Sequence, residues 1–150
     1  MNKKIVFGLT LLVSMALLLS GCSNAFTPSE VKAGTVWEVK QMLMPVNDLI
    51  EIPFTKKIGD EEITVNKALF CLHSNGKVYR KIIGKGKLLF KGKDEVINGG
   101  ESYTINTVDK KITIDGNVLS YALRNDELTL RRGSIILGVY KLSSEPEFTN

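Results

Sequence analysis

His73 is the only histidine in the chain, and Cys71 lies two residues before it. Residues two apart on a strand project from the same side, so this thiol and imidazole could approach one metal ion. Two ligands are too few for a zinc site, and a Ser-His-Asp triad would depend on His73 alone. The favoured interpretation is a buried thiol and a histidine beside a turn. We therefore expect no catalytic residue, no metal ion, no cofactor and no enzymatic activity.

Acidic residues cluster at 60–62, 94–95 and 126–127, all between predicted strands. Carboxylates in such loops are usually solvated turn residues, so none of them indicates paired acid–base catalysis. The glycine-rich stretch Gly84-Lys85-Gly86-Lys87 is not followed by the helix that phosphate-binding loops require. The sequence therefore predicts no nucleotide site.

A basic segment covers residues 77–93, which contain seven lysine or arginine residues and no acid. Arg80, Lys81, Lys85 and Lys87 are its candidate contacts with anionic head groups or with a protein partner, at about 1 kcal/mol per cation near a membrane. The alternative is a solvated outer strand face whose charges protect a sheet edge. The net charge of the whole chain is only +4, which does not indicate nucleic-acid binding.

The N-terminus predicts a targeting segment at residues 1–21. Two lysines precede an uncharged apolar run at 5–19, which is shorter than the roughly 20 residues of a membrane-spanning helix and typical of a signal peptide. The sequence Leu19-Ser20-Gly21-Cys22 resembles the bacterial lipobox, in which the cysteine receives a diacylglycerol before cleavage. This resemblance implies lipidation of Cys22 and an acylated tether at 22–33, followed by a domain at 34–150.

Lipidation implies a location in the bacterial cell envelope, because two or three acyl chains anchor a protein stably to a membrane. Ser23 after the modified cysteine implies the outer membrane if the host has two membranes, and otherwise the outer face of the plasma membrane. With Cys22 modified, Cys71 is the only remaining thiol, so no intramolecular disulfide can form. We expect Cys71 to be buried.

The remaining chain alternates apolar and polar residues in short runs separated by Gly, Asn and Asp, which predicts strands. A short helical turn is compatible with residues 45–50. The pair Asn75-Gly76 predicts a type I′ hairpin turn, and Gly99-Gly100 predicts a turn before Glu101. In the strand at 118–124, Leu119, Tyr121 and Leu123 should face inward, and Ser120 and Arg124 should face outward. Predicted strands occupy 35–44, 63–73, 77–83, 87–91, 101–107, 111–114, 118–124, 128–131 and 134–142. Short connections favour an all-β, single antiparallel up-and-down barrel of about eight strands.

The order of these motifs resembles the small lipocalin-like domains of bacterial lipoproteins. Gly34-Thr35-Val36-Trp37 opens the first strand, and later strands carry the recurring motifs of that pattern. These motifs are Leu69-Phe70 leading to Asn75-Gly76-Lys77, then Tyr103-Thr104-Ile105, Ile112-Thr113-Ile114, Leu119-Ser120-Tyr121, Leu128-Thr129-Leu130 and Tyr140-Lys141. The resemblance implies a lipocalin-like barrel, and an eight-stranded barrel either fills itself with side chains or holds one small ligand.

Two functions follow from this interpretation. The first is a lipid-anchored, non-catalytic binding domain whose interior holds a small hydrophobic ligand against aromatic side chains. The candidate ligand-binding residues are Trp37, Phe70, Tyr103, Tyr121 and Tyr140. The alternative is a packed barrel that acts as a protein-interaction or envelope-assembly subunit, contacting its partner through the basic segment and a mobile loop at 47–60.

Overall fold

The computed structural model describes residues 30–45 and 48–150. The predicted signal peptide and the lipidation site Cys22 lie outside the described residues. The described part contains ten strands, one short helix and three buried apolar clusters, of which the one inside the barrel is much the largest. The strands are β1 Thr35–Leu43, β2 Leu49–Glu51, β3 Phe54–Ile58, β4 Glu61–Leu72, β5 Lys77–Lys85, β6 Glu95–Asn106, β7 Lys111–Ile114, β8 Asn117–Arg124, β9 Glu127–Arg132 and β10 Ile135–Ser143, and the helix is α1 Lys87–Phe90.

Eight of the strands close an antiparallel up-and-down barrel, which confirms the predicted fold. From β4 to β10 each strand pairs with the next in sequence, and β10 then pairs with β1. Closure occurs where β1 also pairs with β4, from Thr35 opposite Leu72 to Glu38 opposite Leu69. The eight strands of the barrel and the side chains packed inside it all lie within residues 31–143, so the segment from residue 22 onward retains every strand of the barrel.

Strands β2 and β3 occupy most of the predicted loop at 47–60. The predicted helical turn at 45–50 falls partly on Val46 and Asn47, which lie outside the described residues, and residues 49–50 belong to β2. Beyond Glu38 the strands β1 and β4 diverge, and their facing edges pair instead with β2 and β3 respectively. The chain reverses between these two short strands at the cis Ile52-Pro53 bond. Strands that separate lose the ladder hydrogen bonds between them, and this inserted pair supplies new backbone partners at the barrel seam.

The hairpin at Asn75-Gly76 is present, but its turn is not the predicted type I′. Gly76 has a positive φ of 79° and Asn75 does not. Gly76 N donates to His73 O, and His73 N donates to Lys77 O, as in a three-residue loop that ends in a left-handed glycine. The Asn75 side chain accepts a hydrogen bond from Lys77 N, which favours this alternative. Positive φ at two successive residues occurs instead between β7 and β8, at 115–116.

The prediction of a strand at 87–91 is wrong, because residues Lys87–Phe90 form the helix α1. Three apolar residues in a row show no usable period in so short a segment. The helical turn directs Phe90 inward, where it is 1% exposed and packs against Ile63 and Val65. A short helix does therefore follow the glycine-rich stretch, and its first backbone N–H groups donate to the Glu61 carboxylate.

Apolar side chains pack on both faces of the barrel sheet. Inside the barrel, Leu119, Tyr121 and Leu123 pack together while Ser120 and Arg124 are exposed, which confirms the predicted phase of β8. Outside it, a smaller apolar cluster is covered by Phe148 from the C-terminal segment. That cluster consists of Val36, Leu69, Cys71 and Tyr79. Cys71 is buried, as expected, and burial raises the pKa of its thiol.

Candidate ligand cavity

One end of the barrel is closed by packed side chains, and we call it the closed end. Trp37 is 0% exposed there and packs in the same cluster as Val31 and Leu72. The indole Nε1 donates to Thr35 Oγ1 at 2.8 Å, and this hydroxyl donates to Lys32 O at 2.6 Å. Val31 falls within the predicted tether, so this residue of the segment belongs to the barrel core, whereas Lys32 and Ala33 are exposed.

The opposite end, which carries the turns at 115–116 and 133–134, leads into a cavity of about 410 Å³ and is called the open end. Phe70 and Tyr140 line it, with ring centroids 5.3 Å apart. Gly138 makes room for this phenol, since a Cβ at that position would lie 2.6 Å from the Tyr140 hydroxyl oxygen. The apolar walls come from Val39, Met42, Leu43, Ala68, Phe70, Ile82, Ile114, Leu119, Leu130 and Leu137.

A second, almost wholly apolar pocket of about 310 Å³ adjoins this cavity beneath β3 and α1. The two share Met42, Ala68 and Ile82 in their walls. The remaining lining residues of the apolar pocket are Met44, Phe54, Ile58, Ile63, Val65, Leu88 and Leu89. The apolar pocket therefore lies directly beside the barrel interior.

The cavity contains one ion pair. Arg80 Nη1 donates to Glu101 Oε1 at 2.9 Å, and both side chains line the cavity wall. The other carboxylate oxygen, Glu101 Oε2, is buried and has no hydrogen-bond partner among the described residues. At the open end Asp115, Asn117 and Arg132 complete the polar lining.

A bulge in β6 turns Glu101 inward. Val96 opposes the inward-facing Ile82, whereas Glu101 opposes Val78, and the register shifts by one residue between these two pairs. Gly99 and Gly100 form the bulge with φ values of 133° and 108°. An added residue in one strand reverses which side chains face the core. The expected turn at Gly99-Gly100 is therefore a bulge within a continuous strand.

Burial and charge set the protonation of the polar groups in the cavity. Desolvation raises the pKa of Tyr140 to about 12, so the phenol stays protonated and can donate a hydrogen bond. The pKa of Glu101 is lowered, first by its own backbone N–H and also by Arg80, against the opposing effect of burial. Glu101 is therefore an ionised acceptor near neutral pH.

The predicted ligand-binding aromatics divide into two groups. Phe70 and Tyr140 line the cavity, whereas Trp37, Tyr103 and Tyr121 are packed in the core. Tyr103 Oη donates to His73 O at 2.9 Å, which ties its strand to the hairpin at the closed end. The barrel thus brings together two of the five aromatics at the candidate site, and the other three fill its interior.

The four basic residues named from the sequence do not share one surface. Arg80 lies in the cavity wall, and Lys81 on the next position faces outward, 4.8 Å from the centre of the Phe148 ring. Alternation along β5 causes this separation. Lys85 and Lys87 line a surface groove at the open end. Acidic residues line the same groove, namely Asp60, Glu61, Glu62 and Asp94.

Cys71 and His73 do not form a reactive pair in the structure. Cys71 is covered by the C-terminal segment, and His73 Nδ1 accepts a hydrogen bond from Asn75 N at 3.1 Å. Glu147 Oε1 lies 3.9 Å from this imidazole nitrogen and accepts a shorter hydrogen bond from Ser74 N. Within residues 30–45 and 48–150, no three His, Cys, Asp or Glu side chains are grouped so that they could hold a metal ion.

Glu101 was not among the site residues predicted from the sequence. Arg80 was predicted to contact a membrane or partner on the outer surface, but it lies in the cavity wall. The sequence signal for Glu101 was the pair of glycines before it, because adjacent glycines inside a strand pattern indicate a bulge that changes which face each side chain occupies.

In the part of the chain that the structure describes, no helix is both long and apolar enough to cross a membrane. Comparisons of the chain with protein-family profiles, curated proteins and solved structures found no match.

Proposed function

We propose that this chain is a non-catalytic binding protein of the bacterial envelope whose barrel holds a small hydrophobic ligand. The observation that supports the proposal is the cavity of about 410 Å³ with its apolar walls. Ligand pockets for small molecules typically measure about 300–1,000 Å³ and combine apolar walls with a few polar groups. The adjoining apolar pocket of about 310 Å³ extends the space available to a longer molecule.

Filling the cavity tests this function. Ala68 is buried and borders both pockets, so Ala68→Phe places a ring where the ligand would lie. We expect the variant to bind the neutral fluorescent probe N-phenyl-1-naphthylamine at least about tenfold more weakly, a loss of about 1.4 kcal/mol. Probe titration and native mass spectrometry of residues 22–150 carrying Cys22→Ser, purified without detergent, would measure the effect.

Ala122→Phe is the matched control, because Ala122 is exposed on the outer face of β8. This variant adds the same ring and should keep the affinity of the parent protein. Equal affinities in all three proteins would show that the probe binds elsewhere. Absence of probe binding in the parent would instead favour the alternative function, a protein-interaction subunit. In that case the exposed apolar side chains Leu49, Ile58 and Leu88 near the open end would be the first candidate contacts.

The proposal includes a lipid anchor on Cys22, supported by the lipobox-like sequence that ends at this residue. In bacteria fed an alkyne analogue of palmitate, the full chain should be labelled and sediment with membranes. Cys22→Ser should abolish the label, because serine lacks the thiol that is modified. Cys71→Ser is the matched control and should remain labelled. Labelling that survives Cys22→Ser, or is lost only with Cys71→Ser, would contradict this part of the proposal.

A further inference from the structure

The charges that line the cavity are balanced. Arg80 and Glu101 form an ion pair in its wall, and Arg132 and Asp115 contribute one charge of each sign at the open end. The Arg80 guanidinium is therefore already neutralised by a carboxylate 2.9 Å away. A ligand carboxylate or phosphate that approached Arg80 would also approach Glu101, and like charges in a partly desolvated site repel strongly.

The unpaired acceptor in the wall indicates which polar group would fit. Glu101 Oε2 is buried without a hydrogen-bond partner in the described chain, and leaving such an atom unpaired carries a desolvation penalty. The Glu101 side chain as a whole is 36% exposed and lines the cavity, so a ligand group that donates a hydrogen bond could use the remaining acceptor capacity of this carboxylate. A hydroxyl group could in addition accept a hydrogen bond from Arg80 or from the Tyr140 phenol, which also lines the cavity.

The apolar pocket indicates the remainder of the ligand. It adjoins the cavity through Met42, Ala68 and Ile82, and its other lining residues are predominantly aliphatic or aromatic. We propose that the barrel selects a neutral amphiphile, and this inference rests on the proposed binding function. The amphiphile is an extended apolar chain that ends in an uncharged hydrogen-bond donor such as a hydroxyl group. The hydroxyl contacts Glu101 and Arg80, and the chain occupies the apolar pocket.

Three probes of equal chain length test this selectivity: 1-dodecanol, methyl dodecanoate and dodecanoate. The alcohol is neutral and donates a hydrogen bond, the ester is neutral without a donor, and the carboxylate is charged. Each would compete at pH 8 with N-phenyl-1-naphthylamine for residues 22–150 carrying Cys22→Ser. We expect dodecanol to bind at least about tenfold more tightly than dodecanoate, with the ester between them.

The Glu101→Gln variant provides a second test of the selectivity, because this substitution removes the negative charge and keeps the size of the side chain. Arg80 then lacks a compensating charge, so dodecanoate should bind more tightly and the preference for the alcohol should shrink or reverse. Glu145→Gln is the matched control. Glu145 pairs with Lys67 on the outer surface, and its substitution should leave the preference unchanged.

The outcomes separate this inference from the function on which it rests. Dodecanoate binding as tightly as dodecanol would overturn the inference, and so would an ester that equals the alcohol. A preference that is the same in Glu101→Gln as in the parent would also overturn it. If the neutral probe does not bind the parent protein, the proposed function itself fails, and the inference fails with it.

Discussion

Trp37→Ala should lower the free energy of unfolding by about 3–5 kcal/mol, the range measured when large aromatic core residues are truncated. The indole is 0% exposed and closes one end of the barrel beside Val31 and Leu72. A small domain has only about 5–15 kcal/mol of stability in total, so the variant should be close to unfolding at room temperature. Urea denaturation followed by far-UV circular dichroism would measure the loss.

Two further variants keep this prediction testable if Trp37→Ala does not fold. Thr35→Val preserves the shape of residue 35 but removes the oxygen that accepts from Trp37 Nε1. It should cost about 1–3 kcal/mol, because the buried N–H loses its acceptor. Ile135→Ala is the control for apolar truncation at an exposed site, where residue 135 is 53% exposed, and it should cost much less. Similar losses for Trp37→Ala and Ile135→Ala would refute the role of Trp37 as the closure of the barrel.

Gly99→Ala should destabilise the barrel by more than about 2 kcal/mol. A Cβ at this position would lie 2.3 Å from Val78 O and 2.7 Å from Tyr79 Cα, both backbone atoms of the paired strand. Its φ of 133° is also costly for residues with a side chain, at about 1–3 kcal/mol. The β5–β6 pairing must shift to relieve the contact, which would move Glu101 away from Arg80. Urea denaturation measures the first effect, and the alcohol-to-carboxylate preference measures the second.

Gly100→Ala is the matched control for the backbone contact. Gly100 has a φ of 108°, but a Cβ there would meet no atom within 4 Å. Its substitution should therefore carry the conformational cost without the collision, and it should be clearly less destabilising than Gly99→Ala. Equal losses from the two substitutions would show that the close approach of β5 and β6 at Gly99 is unimportant.

Most of the barrel was predictable because its strands alternate apolar and polar residues over short distances. The phase of β8 illustrates this, since Leu119 and Tyr121 face inward as the pattern indicates. The errors fall where local sequence is ambiguous. Residues Lys87–Phe90 are too few to show a period, and β2 and β3 form because the diverging edges of β1 and β4 need partners that are distant in sequence.

The candidate site was less predictable than the fold for two physical reasons. Whether an aromatic side chain lines a cavity or fills the core depends on its packing against strands distant in sequence, which alternation does not reveal. Tyr140 lines the cavity, whereas Tyr121 packs in the core. The inward direction of Glu101 depends on a bulge, and a bulge changes the face of every residue that follows it. Alternation continued from Val96 without the bulge places Glu101 outside, whereas alternation read back from Tyr103 places it inside.

The two ends of the barrel give the molecule a direction. The chain enters at the closed end through Val31 and Lys32, whereas the cavity, Lys85 and Lys87 are at the open end. Under the proposed lipid anchor, the segment that leads into the barrel joins it at the closed end, on the opposite side from the mouth of the cavity. An attachment at that end leaves the mouth unobstructed.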